Sequence, residues 1–262
     1  MTRRRLDTEM VRRKLVESRS EAQRAIDAGL VRVGTNPEPK ASTLVAPDEP
    51  VHVTAGPDRF VSRAGHKLAA ALKAFPIDVK GARAVDVGAS TGGFTDCLLQ
   101  SGAASVVAID VGYGQMHWRI RQDPRVKVVE RTNVRTVQPN QFGAPFDVVV
   151  ADLSFISLRT VAKQLAAFGT ETSNWILLVK PQFEAGRGAV GKGGVVRDRD
   201  VRHDTVMNVV EELEGHGLGL HGLIASPITG TTGNVEYVAW FTSGPATASV
   251  NTLLASIEEP GQ

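Results

Sequence analysis

Apolar positions recur at helical spacing early in the chain and in strand-like runs later, and the change of period divides it in two. Leu6, Met10, Val11 and Leu15 share one helical face, which predicts a short amphipathic helix. Ser18-Arg-Ser-Glu21 then has the form of a capping box, in which the hydroxyl and the carboxylate satisfy free N–H groups at a helix start. The second helix therefore runs through Ala22 and Ile26 to a stop at Gly29. LVRVG at 30–34 and the alternating VHVTA at 51–55 flank a polar loop with Pro37 and Pro39, and both read as short strands.

After the helical pattern SRAGHKLAAALKAF, strands and helices alternate from Gly81 onward, the mark of a parallel sheet covered on both faces. ARAVDVG is a first strand, and GFTDCLLQSG a helix ended by Gly102. ASVVAID, VKVVE, FDVVVAD and WILLVK follow as strands two to five, and HGLIASP and EYVAWF supply two more with no helix between them. Seven strands in this order resemble the class I methyltransferase variant of the α/β Rossmann-like fold, whose last strand runs antiparallel. The division expected is a small domain at 1–58, a linker at 59–63 and a large domain at 64–262.

Composition narrows the class. The 262 residues are 42% hydrophobic, enough for a substantial core. Net charge is only +2, but through Val33 there are nine Lys and Arg against five Asp and Glu, which makes the N-terminal end the candidate for a polyanionic partner. The single cysteine, Cys97, excludes an internal disulfide and reads as core, leaving the cytoplasm as the expected compartment. The basic start has no secretory pattern, and no apolar run is long enough to span a membrane as a helix. The six histidines show no ligand spacing, so no metal is expected, and His66 reads as a helix-surface residue.

A glycine-rich turn follows the first strand, where a ligand can approach the backbone closely. Its candidate residues are Asp86, Gly88, Ala89, Ser90, Gly92, Gly93 and Phe94. The spacing is not G-x-G-x-x-G, which argues against a dinucleotide and for S-adenosylmethionine, a cofactor with no phosphate. Asp110 ends the second strand, where a carboxylate accepts from ribose hydroxyls, Asn133 follows the third near the place for adenine, and Asp152 ends the fourth. Gly186 to Gly193 mimics a P-loop but has glycine where the hydroxyl for magnesium belongs and no apolar helix after it. That stretch reads as a basic loop, either closing over substrate or only connecting elements.

In NWILLVKPQFE, an apolar run ends abruptly at Lys180 and Pro181. A lone lysine there ordinarily snorkels to water. However, ligands in such sheets bind outside the carboxyl ends of the strands, and three more charged residues reach that edge: Asp152, Glu236 at the start of the last strand, and Lys67 on the helix before the first. The order Lys67, Asp152, Lys180, Glu236 resembles the K-D-K-E tetrad of ribose 2′-O-methyltransferases. A tetrad of this kind makes Lys180 the group that removes the hydroxyl proton, with Asp152 and Lys67 on either side positioning it and Glu236 completing the network. The alternative to this reading is a buried four-charge salt-bridge cluster with no chemistry.

SRAGHKL, DVGASTGGFTD, IDVGYGQ, ERTN, VVADLSFISL, LLVKPQFE and GNVEY together resemble the TlyA family, whose members are called haemolysins. The resemblance implies a ribosomal RNA 2′-O-methyltransferase acting on cytidine in 16S or 23S rRNA or both, as free RNA or in ribosomal subunits. RLDTEMVRRKLVESRSEAQRAIDAGLVRVG resembles the small RNA-binding domain named after ribosomal protein S four, implying contacts from Arg4, Arg5, Arg12, Arg13, Lys14, Arg19 and Arg24. A solvated basic hairpin that packs on its neighbour would carry the same charges. Phe155 and Tyr113 are candidates for stacking on a base or on adenine. The rival readings are a membrane-lytic protein, against which the short, weakly apolar N-terminal helices argue, and an RNA-binding protein without catalysis.

Overall fold

In the computed structural model, residues 3–259 are described apart from 17, 28–29, 37–38, 54–58, 187 and 192, and apart from the side chain of Arg24. They divide between Arg59 and Phe60 into two units.

In the first unit, β1 (Arg4–Arg5) leads into α1 (Leu6–Arg12), followed by α2 (Arg19–Asp27), β2 (Val31–Val33), β3 (Leu44–Val45) and β4 (Val51–Val53). The predicted helical face closes the core: Leu6 and Met10 are fully buried with Ala22, Val31, Val33 and Val45. α1 ends in a Schellman turn, with Leu15 N–H bonded to Met10 O at 3.0 Å, Lys14 N–H to Val11 O at 3.0 Å, and Lys14 in the left-handed region at φ 58°. Ser18 Oγ accepts from Glu21 N–H at 3.2 Å, the serine half of the predicted capping box. The predicted stop at Gly29 lies outside the described residues. β2 and β4 pair antiparallel with Val31 opposite Val53, and a further pair that the sequence pattern did not signal joins β1 to β3.

The second unit runs α3 (Ala64–Ala74), β5 (Arg83–Val87), α4 (Gly93–Gln100), β6 (Ser105–Ile109), α5 (Trp118–Arg121), β7 (Val126–Val129), β8 (Val148–Ala151), α6 (Ala162–Ala166), β9 (Asn174–Val179), α7 (Pro181–Glu184), α8 (Arg199–Glu214), β10 (Leu218–Ala225), β11 (Tyr237–Ser243) and α9 (Val250–Ser256). One seven-stranded sheet has the order β10-β11-β9-β8-β5-β6-β7. β5 to β9 are parallel, and β11 is antiparallel to both its neighbours. The sheet separates two cores, and β9 explains why its run is apolar throughout: Trp175, Leu177 and Val179 face one core, Ile176 and Leu178 the other. Cys97 is buried in the second core. Among the described residues no helix follows the P-loop-like stretch until Arg199. Among the described residues no helix is long and apolar enough to cross a membrane.

Candidate active site

The glycine-rich turn follows β5, at the switch point where the strand order reverses between β5 and β8. Gly88 has φ +87°, a conformation that favours glycine, and a Cβ there would stand 2.7 Å from the carbonyl oxygen of Asp152. Gly88 and Ala89 N–H groups both bond Ile109 O, at 2.8 and 3.1 Å, which pins the turn to the end of β6. Gly92, at φ +93°, caps α4, and a Cβ on Gly93 would meet Ser62 Oγ at 2.2 Å. Asp110, one residue past β6, accepts from Ser90 N–H at 2.8 Å and Gly112 N–H at 2.6 Å. Asn133 is exposed and caps the turn Val134–Thr136, its Oδ1 accepting from Arg135 N–H at 3.0 Å. The ring of Phe94 is buried in the core with Phe60 and Leu98.

Asp86 is completely buried under this turn. Thr95 Oγ1 donates to its Oδ2 at 2.6 Å, while Oδ1 has no hydrogen-bond partner. Burial disfavours the charge and raises the carboxyl to about 7 against the pull of the Thr95 bond, with the charge of Asp152 also raising it.

The four charged residues meet as two ion pairs. Lys67 Nζ lies 2.5 Å from Glu236 Oε2, and Lys180 Nζ lies 2.6 Å from Asp152 Oδ1. Lys67, Lys180 and Glu236 are buried. The Lys180–Asp152 contact is a close charge pair rather than an aligned hydrogen bond, since the aligned bond of Lys180 goes to Ser154 Oγ at 2.9 Å. Pro181 ends the strand and also occupies the first position of α7, where its missing N–H costs nothing. The expectation that Lys67 and Asp152 both flank Lys180 thus resolves into separate pairs, with α7 between them. Gln182 Nε2 donates to Glu236 Oε1 at 3.1 Å on one side, and Glu184 bonds the loop after Asp152 on the other.

A model of the FtsJ-like methyltransferase family matches residues 60–243, which include all four charged residues. A protein of Mycobacterium tuberculosis named 16S/23S rRNA (cytidine-2′-O)-methyltransferase TlyA is 49% identical, over 91% of this chain and 89% of its own. The chain belongs to the TlyA family of FtsJ-like methyltransferases. Hemolysin A of Brachyspira hyodysenteriae is 40% identical over 90% of this chain and 99% of its own. A solved structure from Streptococcus thermophilus described as a hemolysin is 35% identical, with a TM-score of 0.76 over 97% of this chain and 95% of that one. The first unit carries the match to the S4 domain, at residues 4–51.

Within that S4 domain the basic residues divide by role. Arg13 is a strut: its guanidinium bonds Glu9 Oε1 at 2.7 Å, Glu49 O at 2.8 Å and Ala46 O at 2.9 Å. Arg12 also pairs with Glu9, whose carboxyl is held down to about 2 chiefly by the Arg12 bond, with Arg13 assisting. Arg5 and Arg19 both pair with Asp7 yet remain open to solvent, and Arg4 and Lys14 are exposed. Arg24 lies on α2 with its side chain outside the described residues. Phe155 is 92% exposed on the loop after β8, its ring 5.2 Å from that of Phe183, and Tyr113 is exposed with Arg131 stacked at 4.0 Å.

Three polar residues at the site escaped the sequence reading. Ser154, Gln182 and Glu184 lie in the words VVADLSFISL and LLVKPQFE, but a serine in a loop and a glutamine and a glutamate after a proline carry no pattern of their own. Their contacts are made across 26, 54 and 27 residues of sequence.

Proposed function

We propose that the chain transfers a methyl group from S-adenosylmethionine to the 2′-hydroxyl of a cytidine ribose in ribosomal RNA, 16S or 23S or both, in the cytoplasm. The observation that carries this reading is the abutment of the glycine turn and the Lys180–Asp152 pair. The Cα of Gly88 packs so closely under the Asp152 carbonyl that a Cβ would be 2.7 Å from it. A ligand on that turn and a nucleoside held by Lys180 would therefore meet at one edge.

The residues present fit the cofactor. Asp86 Oδ1 is a buried acceptor with no partner, suited to an ammonium donor, and Asp110 stands where ribose hydroxyls would be bound. Ser90, Gly92 and Gly93 supply backbone around it, and Asn133 stands at the adenine end. Bound S-adenosylmethionine supplies an electron-poor sulfonium methyl group and leaves as a neutral thioether.

The chain's own residues supply the rest. A ribose hydroxyl is a weak nucleophile, and Lys180 takes its proton as the oxygen–methyl bond forms. Ser154 Oγ accepts from Lys180 at 2.9 Å and the Asp152 carboxylate stands 2.6 Å from Nζ, and together they orient the amine so that its lone pair faces the hydroxyl. The Lys67–Glu236 pair, braced by Gln182, presents a second cation toward the developing alkoxide. Phe155 stacks on the target base, and the exposed Arg4, Arg5, Arg12, Lys14 and Arg19 hold RNA phosphates.

The test is methyl transfer from labelled cofactor to ribosomal RNA and to ribosomal subunits. Lys180→Ala is expected to lose about 10²–10⁴-fold in rate with its thermal unfolding and cofactor binding retained. Wild-type rate in that variant would remove Lys180 from its role.

A further inference from the structure

The ladder between β8 and β9 ends with Ala151 opposite Leu177, so Asp152 and Lys180 both lie beyond its last rung. Backbone pairing alone does not fix their separation. Glu184, at the end of α7, bridges the two segments. Its Oε2 accepts from Ser157 Oγ at 2.5 Å and its Oε1 from Leu158 N–H at 2.7 Å. Arg159 adds a charge contact at 3.6 Å to Oε2 and a bond at 3.3 Å to the Glu184 carbonyl. Glu184 is buried, and burial raises its carboxyl despite these bonds.

The loop that Glu184 seizes contains Asp152, then Ser154, which accepts from Lys180, then Phe155. Phe155 has φ +64°, strained for an aromatic residue, and its ring is almost wholly in solvent. Strain of this kind persists only where surrounding bonds over-determine the backbone. The clamp on Ser157 and Leu158, two and three residues on, is such a constraint.

We propose that Glu184 is a positioning residue for methyl transfer, clamping the Asp152–Ser157 loop to the turn that bears Lys180, so that Ser154 and Asp152 aim the lysine amine and Phe155 is held at the rim. The proposal rests on the functional reading above and adds to it a residue that touches no reacting atom.

The experiment uses the full chain with labelled S-adenosylmethionine and ribosomal RNA, and measures kcat, KM for RNA and cofactor affinity by calorimetry. A displacement of about 1 Å at a reacting group costs about 100-fold in rate. Glu184→Ala is therefore expected to lower kcat about 10- to 100-fold while cofactor affinity and KM for RNA move by less than about 3-fold. Glu184→Gln keeps an oxygen for Leu158 N–H and a polar partner for Ser157, and is expected to recover most of kcat. Adding Ser154→Ala to Glu184→Ala is expected to cost little more than Glu184→Ala alone, because the first change already releases Ser154. Should Glu184→Ala fail to fold, Ser157→Ala removes one anchor without a buried gap, and its kcat must fall.

Wild-type kcat in Glu184→Ala or in Ser157→Ala, or fully multiplicative losses in the double variant, would overturn the proposal while leaving the methyltransferase reading intact. A wild-type chain that places no methyl on ribose would overturn that reading first, and the proposal with it.

Discussion

Asp86→Asn probes the buried acid beneath the glycine turn. The folded chain keeps this proton up to about pH 7, whereas the ordinary value is 3.8. Between those limits the folded state holds a proton that the unfolded state has lost, so stability falls as pH rises through the window. About three pH units at 1.36 kcal/mol each amount to roughly 4 kcal/mol lost by pH 8. Asparagine has no charge to desolvate and can still accept from Thr95, but its Nδ2 takes the place of the unpartnered Oδ1. Leaving that donor unpaired costs about 1–3 kcal/mol. The balance is a net gain of about 1–3 kcal/mol at pH 8 and a net loss of similar size at pH 4. Without cofactor, the unfolding temperature of the variant should therefore exceed wild type by a few degrees at pH 8 and fall below it under acid conditions. Two curves that run parallel from pH 4 to 8.5 would refute the buried-acid account. Calorimetry with S-adenosylhomocysteine adds a second reading: cofactor affinity should drop on Asp86→Asn, and unchanged affinity would remove Asp86 from the cofactor site.

Three further outcomes are expected. Gly88→Ala forces a side chain into φ +87° and into the Asp152 carbonyl, so cofactor binding by calorimetry and methyl transfer should both be lost, with a stability cost of about 1–3 kcal/mol. Glu259→Ala strands the buried Arg202, which now donates to Glu259 alongside Tyr237 OH and to the carbonyls of Val196 and Arg197. Loss of a partner from a buried pair of this kind costs about 3–5 kcal/mol, readable in urea unfolding. Arg13→Ala should lower the unfolding midpoint of the S4 domain, whereas Arg19→Ala, at a side chain 63% exposed, should leave the midpoint unchanged and weaken RNA retention in a salt-dependent way.

Much of the fold was legible because burial on both faces writes itself into composition: WILLVK could only be an interior strand, and the alternation of such runs with helices set the sheet. The meeting of Lys67, Asp152, Lys180 and Glu236 followed from topology alone, since strand ends on one edge are neighbours whatever their spacing in sequence. How those four would pair did not follow, because side-chain geometry makes two close pairs out of one convergence. Arg13 read as one more basic residue since the carbonyls of Ala46 and Glu49 that it bonds lie 33 and 36 positions away. Phe94 read as part of the turn although the face of α4 turns its ring into the core. Glu184 and Glu259 were silent for the same reason: a lone glutamate announces neither burial nor a partner 27 or 57 residues distant.

The most direct measurement is a map of ribose methylation across 16S and 23S rRNA from cells with and without the protein. The expected result is at least one cytidine whose 2′-O-methyl group depends on the wild-type chain and is absent with Lys180→Ala. No dependent ribose methylation in either RNA, or a dependent methyl group on a base instead of a ribose, would contradict the function proposed.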